Sequence, residues 1–159
     1  MRKLLLLVAT ALAGCVYSFS GFFPRELSRT HVAVFGNTSS RQGLQTPATS
    51  AMIDRIRKDG RLEIVGEGEA ALLVQGTVTG FRKDPEEYDA SGKILTYRVT
   101  VEAEISFFDV AKQDYYLKPA KYRGWGLYNP SSETEDQGIS RALENLSDQS
   151  LSALFSAGF

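Results

Sequence analysis

The longest regular pattern in the chain is an alternation. Leu95, Tyr97, Val99, Val101, Ala103, Ile105 and Phe107 take turns with Thr96, Arg98, Thr100, Glu102, Glu104, Ser106 and Phe108. Successive side chains of an extended chain point to opposite faces, so a period of two predicts an antiparallel strand with one wet face. Shorter stretches read the same way. His31-Val32-Ala33-Val34-Phe35 alternates and stops at Gly36-Asn37, and Leu62 to Val65 is a second short strand. Leu72, Val74, Gly76 and Val78 share one face of a third strand that ends near Arg82. A further strand runs from about Tyr115 to Trp125 behind the turn Ala111-Lys112-Gln113-Asp114. Pro119 inside it donates no ladder hydrogen bond and marks an edge or a bulge.

Two stretches follow a helical period instead. Ala48, Met52 and Ile56 recur four apart in a helix that starts at Gln45, with Pro47 tolerated in the first turn. Arg55, Arg57 and Lys58 suit its C-terminal end, and Gly60 is its stop. Ile139, Leu143, Leu146, Ser150 and Leu154 form the stripe of a last helix that starts near Glu133, with Ser131 or Ser132 as N-cap. Glu67-Gly68-Glu69 reads as a turn. Asp84 to Lys93, with Pro85 and Ser91-Gly92, reads as a long hairpin loop. The order is β-α-β-β-β-β-α. It predicts an α+β two-layer sandwich, an antiparallel sheet of about four to five strands with two helices on one face.

The first residues belong to a different kind of segment. Arg2 and Lys3 precede the apolar run Leu4 to Ala13, roughly ten residues long and shorter than the about 20 needed to span a bilayer. Leu12-Ala13-Gly14-Cys15 then resembles the bacterial lipobox, in which a signal peptidase cuts before a lipid-modified cysteine. Cys15 is the only cysteine of the chain, so it can neither staple the fold nor build a metal site alone. The reading is a removed signal peptide over 1–14, an acylated tether over 15–29 and a single α+β domain over 30–159. The resemblance to Gram-negative lipoproteins implies more: in them an aspartate after the cysteine retains the protein in the inner membrane, and Val16 in that place implies the outer membrane, with the domain on the periplasmic face.

Charge adds one exclusion. Eighteen Lys and Arg against 19 Asp and Glu give −1 for the whole chain, without a block of like charge, so a nucleic-acid partner is not expected. The search for chemistry finds no catalytic set, no metal site and no cofactor motif. His31 is the single histidine and reads as a structural residue at a strand edge. Glu67, Glu69, Glu133, Glu135 and Asp136 lack the alternating ligands of a calcium loop. Gly76 and Gly80 fit a bulge or close packing, and Glu102 and Glu104 fit solvation or a cross-strand basic partner. Two surfaces remain. Arg82, Lys83 and Lys93 flank the hairpin that carries Tyr88, and could meet an anionic amphipathic ligand or be an ordinary solvated turn. Tyr115, Tyr116, Tyr122, Trp125 and Tyr128 mark either a protein interface or core.

Several pieces together carry a resemblance. Cys15 to Gly21 behind the lipobox, His31 to Phe35 with Asn37 beyond, Asp59-Gly60-Arg61-Leu62, Gly76 to Phe81, and Tyr88 to Lys93 leading into Tyr97-Arg98-Val99-Thr100-Val101 resemble the LptE family in one order. The resemblance implies a non-enzymatic outer-membrane lipoprotein that assists assembly of lipopolysaccharide in the outer leaflet. In that role it is the plug and folding partner of the LptD β-barrel and can contact lipopolysaccharide itself. It departs from the family at the hairpin tip, where Ala90 stands at the position of a lipopolysaccharide-contacting basic residue and Lys93 follows three residues on. The candidate lipopolysaccharide contacts are therefore Arg82, Lys83 and Lys93, and the five aromatics are the candidate barrel interface. The alternative is a periplasm-facing lipoprotein that activates a cell-wall synthase. Such a protein calls for a long linker, whereas structure here is expected within about fifteen residues of Cys15.

Overall fold

The computed structural model describes residues 23–157. The expected signal peptide over 1–14, Cys15 and most of the expected tether lie outside the described residues. The elements are β1 (Arg29–Val32), β2 (Gly36–Asn37), α1 (Gln45–Asp59), β3 (Glu63–Ile64), β4 (Leu72–Tyr88), β5 (Ile94–Asp109), β6 (Asp114–Tyr128) and α2 (Glu135–Ser156). Short 3₁₀ turns cover Arg25–Leu27 and Glu67–Glu69.

The two helices lie on one face of the sheet, as the periodicity predicts, but the sheet is mixed. Its order is β3-β1-β4-β5-β6, with β2 also on β4. Only β4-β5-β6 form an antiparallel meander. β1 runs parallel to both β3 and β4, and β2 is parallel to β4. The reason is the connection: β1 returns to the sheet through α1, and a helical crossover delivers the next strand in the same direction.

Boundaries moved for identifiable reasons. β4 extends to Tyr88 and β5 begins at Ile94, so the expected long loop is a tight tip on a projecting hairpin. Pro85 sits inside β4 opposite Tyr97, next to register shifts on either side of Glu87. Among the described residues no strand pairs with the outer edge of β4 past Val78, so a missing N–H there costs nothing. Pro119 lies where the β5–β6 register shifts, between the Ile105 and Phe107 pairs. α2 starts at Glu135 rather than Glu133 because Thr134 forms a capping box with Gln137, whose Oε1 accepts the Thr134 N–H at 2.8 Å.

The core lies between sheet and helices. Val99, Val101, Ile105 and Phe107 of β5 are fully buried against Met52 and Ile56 of α1 and Leu143, Leu146 and Leu154 of α2. Each such side chain contributes about 1.5–3 kcal/mol relative to exposure. Leu95, at the open end of the same alternation, is 40 % exposed because the hairpin projects past the helices. Glycines set the close approaches. A Cβ on Gly76 would stand 2.5 Å from the Phe35 ring, and Gly80 falls at a register shift in β4. Gly124 and Gly126 of β6 bring α2 directly onto the backbone of that strand.

Candidate functional site

The register of the meander sorts the candidate residues onto two faces. Arg82 pairs in register with Thr100, Asp84 with Arg98, Gly80 with Glu102, and across β6 Trp125 with Thr100 and Arg123 with Glu102. These positions share the sheet face opposite the buried Val99, Val101 and Ala103. The adjacent residues Phe81 and Lys83 fall on the helix side.

Arg82 and Lys83 therefore point away from each other. The Arg82 Nε lies 2.6 Å from the Asp84 carboxylate. The Lys83 Nζ donates to Glu135 at 2.6 Å at the start of α2, and lies 5.3 Å from the Tyr97 ring centre. The hydrogen bond it gives to Glu135 holds the Lys83 ammonium above its usual range. Arg41 reaches the same carboxylate at 3.3 Å, so Glu135 ties β4, α2 and the loop before α1 together. Lys93 sits at the hairpin tip. Asp89 builds that tip by accepting from the Ser91 hydroxyl at 2.6 Å, the Ser91 amide at 2.8 Å and the Lys93 amide at 2.9 Å. The Ser91 hydroxyl, followed by these amides, lowers the Asp89 carboxyl below its ordinary range. Gly92 takes φ +85°, the left-handed backbone that the turn requires. The Lys93 side chain has no ion pair among the described residues. The structure thus distributes the three cations over a face, a helix junction and a tip.

The aromatics divide as well. Tyr128 is buried and stacks on Tyr97 at 5.5 Å. Tyr116 packs edge-on against Phe23 at 5.7 Å, and Phe23 in turn meets Phe155 of α2 at 5.2 Å. Tyr122 is half-buried against the core, and burial raises its phenol above the usual value. Only Tyr115, 41 % exposed, and Trp125, 48 % exposed, stand open. Tyr115 meets Phe108 edge-on at 5.6 Å. The Arg98 guanidinium carbon lies 5.1 Å from the centre of the Trp125 ring.

Sequence reasoning missed the companions of Trp125. Arg98 bonds Glu86 at 2.5 Å, and Arg123 bonds Glu102 at 2.7 Å. With Arg82–Asp84 they make the outer face of β4-β5-β6 a lattice of paired charges around one exposed indole. The alternation of Arg98 and Glu102 on the wet face of β5 was the available signal. A shallow hollow of about 240 Å³ opens there beside Gly80, lined by Arg82, Thr100, Glu102 and Arg123. The pairing of Glu102 with Arg123 matches the expected cross-strand basic partner. His31 is half-buried in β1 with Nδ1 3.3 Å from the Val65 carbonyl. Among the described residues no group of three or more His, Cys, Asp or Glu is arranged to hold a metal ion.

Solved structures share this architecture at low identity. The hypothetical protein CT253 from Chlamydia trachomatis superposes with a TM-score of 0.58 and 8 % identity, over 82 % of this chain and 97 % of that one. An uncharacterized lipoprotein B from Nitrosomonas europaea gives 0.56 and 14 % over 90 % and 92 %. PelC from Paraburkholderia phytofirmans, a dodecamer, gives 0.53 and 16 % over 85 % and 93 %. These likenesses show the fold alone. No curated protein matches the sequence. The family model described as LptE, lipopolysaccharide-assembly, matches residues 27–154, from the turn before β1 to the last turns of α2, and the chain belongs to that family.

Proposed function

We propose that this chain is an outer-membrane lipoprotein, acylated at Cys15 and facing the periplasm. In this reading it assists assembly of lipopolysaccharide in the outer leaflet as the plug and folding partner of an LptD-type β-barrel, without catalysing a reaction. The observation that carries the reading is the family match across residues 27–154. The outer face of β4-β5-β6 supports it physically. The interior of such a barrel is polar, and a face that sets the ion pairs Arg82–Asp84, Arg98–Glu86 and Arg123–Glu102 beside the exposed Trp125 and Tyr115 has the mixed polar and aromatic character that a polar wall can meet. Trp125 and Tyr115 are then the wall contacts. Tyr116, Tyr122 and Tyr128 support them from the helix side.

Direct contact with lipopolysaccharide belongs to the same reading and rests first on Lys93. Arg82 and Lys83 already have carboxylate partners at 2.6 Å, which an anionic ligand would have to displace. The deciding experiment is an affinity pull-down of the tagged, acylated protein from detergent-solubilised outer membrane, with partners identified by mass spectrometry. A stoichiometric large β-barrel is expected. Recovery of a cell-wall synthase, or of no partner, would overturn the plug reading.

A further inference from the structure

We infer that the outer edge of β4 from Phe81 to Pro85 takes up an extended segment of the barrel partner as an added strand. This contact rests on the plug reading proposed above and adds to it a mode of binding, through the main chain of one edge.

The lane beside β4 is filled only along its first part. β1 pairs with Leu72 to Val74 and β2 with Thr77 and Val78, and the Thr38 amide closes the series by donating to the Val78 carbonyl at 2.8 Å. The register shift between Val78 and Gly80 inserts one residue, so beyond it the outward-facing positions change from even to odd. The ladder across the meander agrees. The Trp125 amide and the Arg123 and Leu127 carbonyls turn to the outer edge of β6, so Gly124 and Gly126 bond to β5. The even residues Arg98, Thr100 and Glu102 of β5 then bond to Asp84, Arg82 and Gly80. Phe81, Lys83 and Pro85 are left facing the empty lane. Phe81 and Lys83 each present an N–H and a C=O there, and Pro85 a C=O alone. Among the described residues none of these groups has a hydrogen-bond partner.

Main-chain groups that recur every second residue, about 7 Å apart, match another extended chain. The two edges of the meander also differ in their cover. Unpaired edges invite association, and folds usually hide them. Side chains of α2 reach the main chain of β6 at Arg123, Trp125 and Leu127, but among the described residues none reaches β4 between Phe81 and Pro85. The lane continues the one that β1 and β2 already occupy, and its flank has a charge pattern. Arg82 and Asp84 lie on the outer face on either side of Lys83, paired at 2.6 Å and both largely solvent-facing. An incoming segment with an acid and a base two residues apart meets opposite charges there. Outer-membrane barrels carry long extracellular loops, and in some of them loops fill the lumen. Such a loop, extended along β4 and ending where Pro85 has no N–H to give, is the occupant.

The test compares the free acylated protein with the complex recovered in the pull-down, by amide hydrogen exchange read residue by residue in a mass spectrometer. In the free protein the Phe81 and Lys83 amides should exchange fast, and the Arg82 and Asp84 amides, bonded to β5, slowly. In the complex the Phe81 and Lys83 amides should slow by at least about tenfold. Fast exchange of both in an intact complex would overturn the added strand and leave the plug reading standing. Failure to recover a barrel would overturn both. Slowing in the free protein as its concentration rises would give the lane to a second copy, and would equally overturn the proposal. Lys83→Pro and Lys83→Ala supply a second comparison, since both lose the contact with Glu135 but only proline loses the donor. Lys83→Pro should recover several-fold less barrel than Lys83→Ala, and equal recovery would count against the strand. The exchange measurement uses the parent chain and does not depend on either variant folding.

Discussion

Gly124 of β6 and Ala142 of α2 approach so closely that a Cβ on the glycine would stand 1.9 Å from the Ala142 carbonyl oxygen. Backbone cannot swing aside as a side chain can, so Gly124→Ala must push α2 off the sheet. We predict a loss of about 3 kcal/mol, at the upper end of overpacking costs, read as a lower urea midpoint at unchanged slope. Gly126→Ala, facing the Gly138 carbonyl at 2.3 Å, should behave alike. An unchanged midpoint would mean that the helix sits farther out.

β6 is an edge strand, and α2 covers part of that edge with three side chains four residues apart. Arg141 donates to the Leu127 carbonyl at 2.5 Å, Asn145 accepts from the Trp125 amide at 3.4 Å, and Gln149 donates to the Arg123 carbonyl at 2.9 Å. Unpaired edge groups are templates for association. Asn145→Ala with Gln149→Ala should cost only about 1–2 kcal/mol but should produce concentration-dependent self-association in sedimentation velocity. A double variant that stays monomeric would show that the edge needs no cover.

Acid should weaken one junction. Arg141 also clamps Glu133, and its hydrogen bond, with one from the Asn129 amide, lowers the Glu133 carboxyl from 4.5 to about 2. A depressed carboxylate contributes stability that is complete above its unfolded value and is lost as pH falls through its folded one. The clamp therefore holds above about pH 4.5 and fails progressively toward pH 2. Between those limits the melting temperature of the parent should fall more steeply than that of Glu133→Gln. Parallel curves would remove the clamp from the account.

The anchor has its own test. Cys15→Ser should accumulate as an unprocessed precursor without acyl label, because the lipid is attached to that sulfur and cleavage of the bond before residue 15 follows the attachment. Normal processing of the variant would end the lipoprotein reading.

How far the chain could be read in advance depended on which residues answer to local chemistry. The burial of Val99, Val101, Ile105 and Phe107 was legible because a period of two has one structural meaning over that length. The helix from Gln45 to Gly60 was legible for the same reason, with a glycine at φ +77° where the stop was expected. Pro85 misled, since whether a proline breaks a strand depends on what lies along its outer edge, a tertiary fact. The direction of β1 also needed the crossover through α1. For the candidate site, residue type identified the aromatics. Their division into an open pair, Tyr115 and Trp125, and a packed set, Tyr116, Tyr122 and Tyr128, follows odd and even positions along β6, but which parity faces the helices is set by the pairing with β5, a tertiary fact.

The position of β1 sets an order of events in folding. It is the earliest strand of the described residues, yet its neighbours β3 and β4 both come later and both run parallel to it. The β4-β5-β6 meander closes through short turns, whereas β1 pays for long loops before any pairing rewards them. The meander should gain hydrogen-exchange protection first, and the Ala33 and Thr38 amides, bonded to β4 carbonyls at 3.0 and 2.8 Å, should gain it last. The segment nearest the tether would then be the final piece to lock. Until it does, β4 offers a vacant parallel berth, and the time spent in that state sets the period during which the unfinished protein needs protection from other chains.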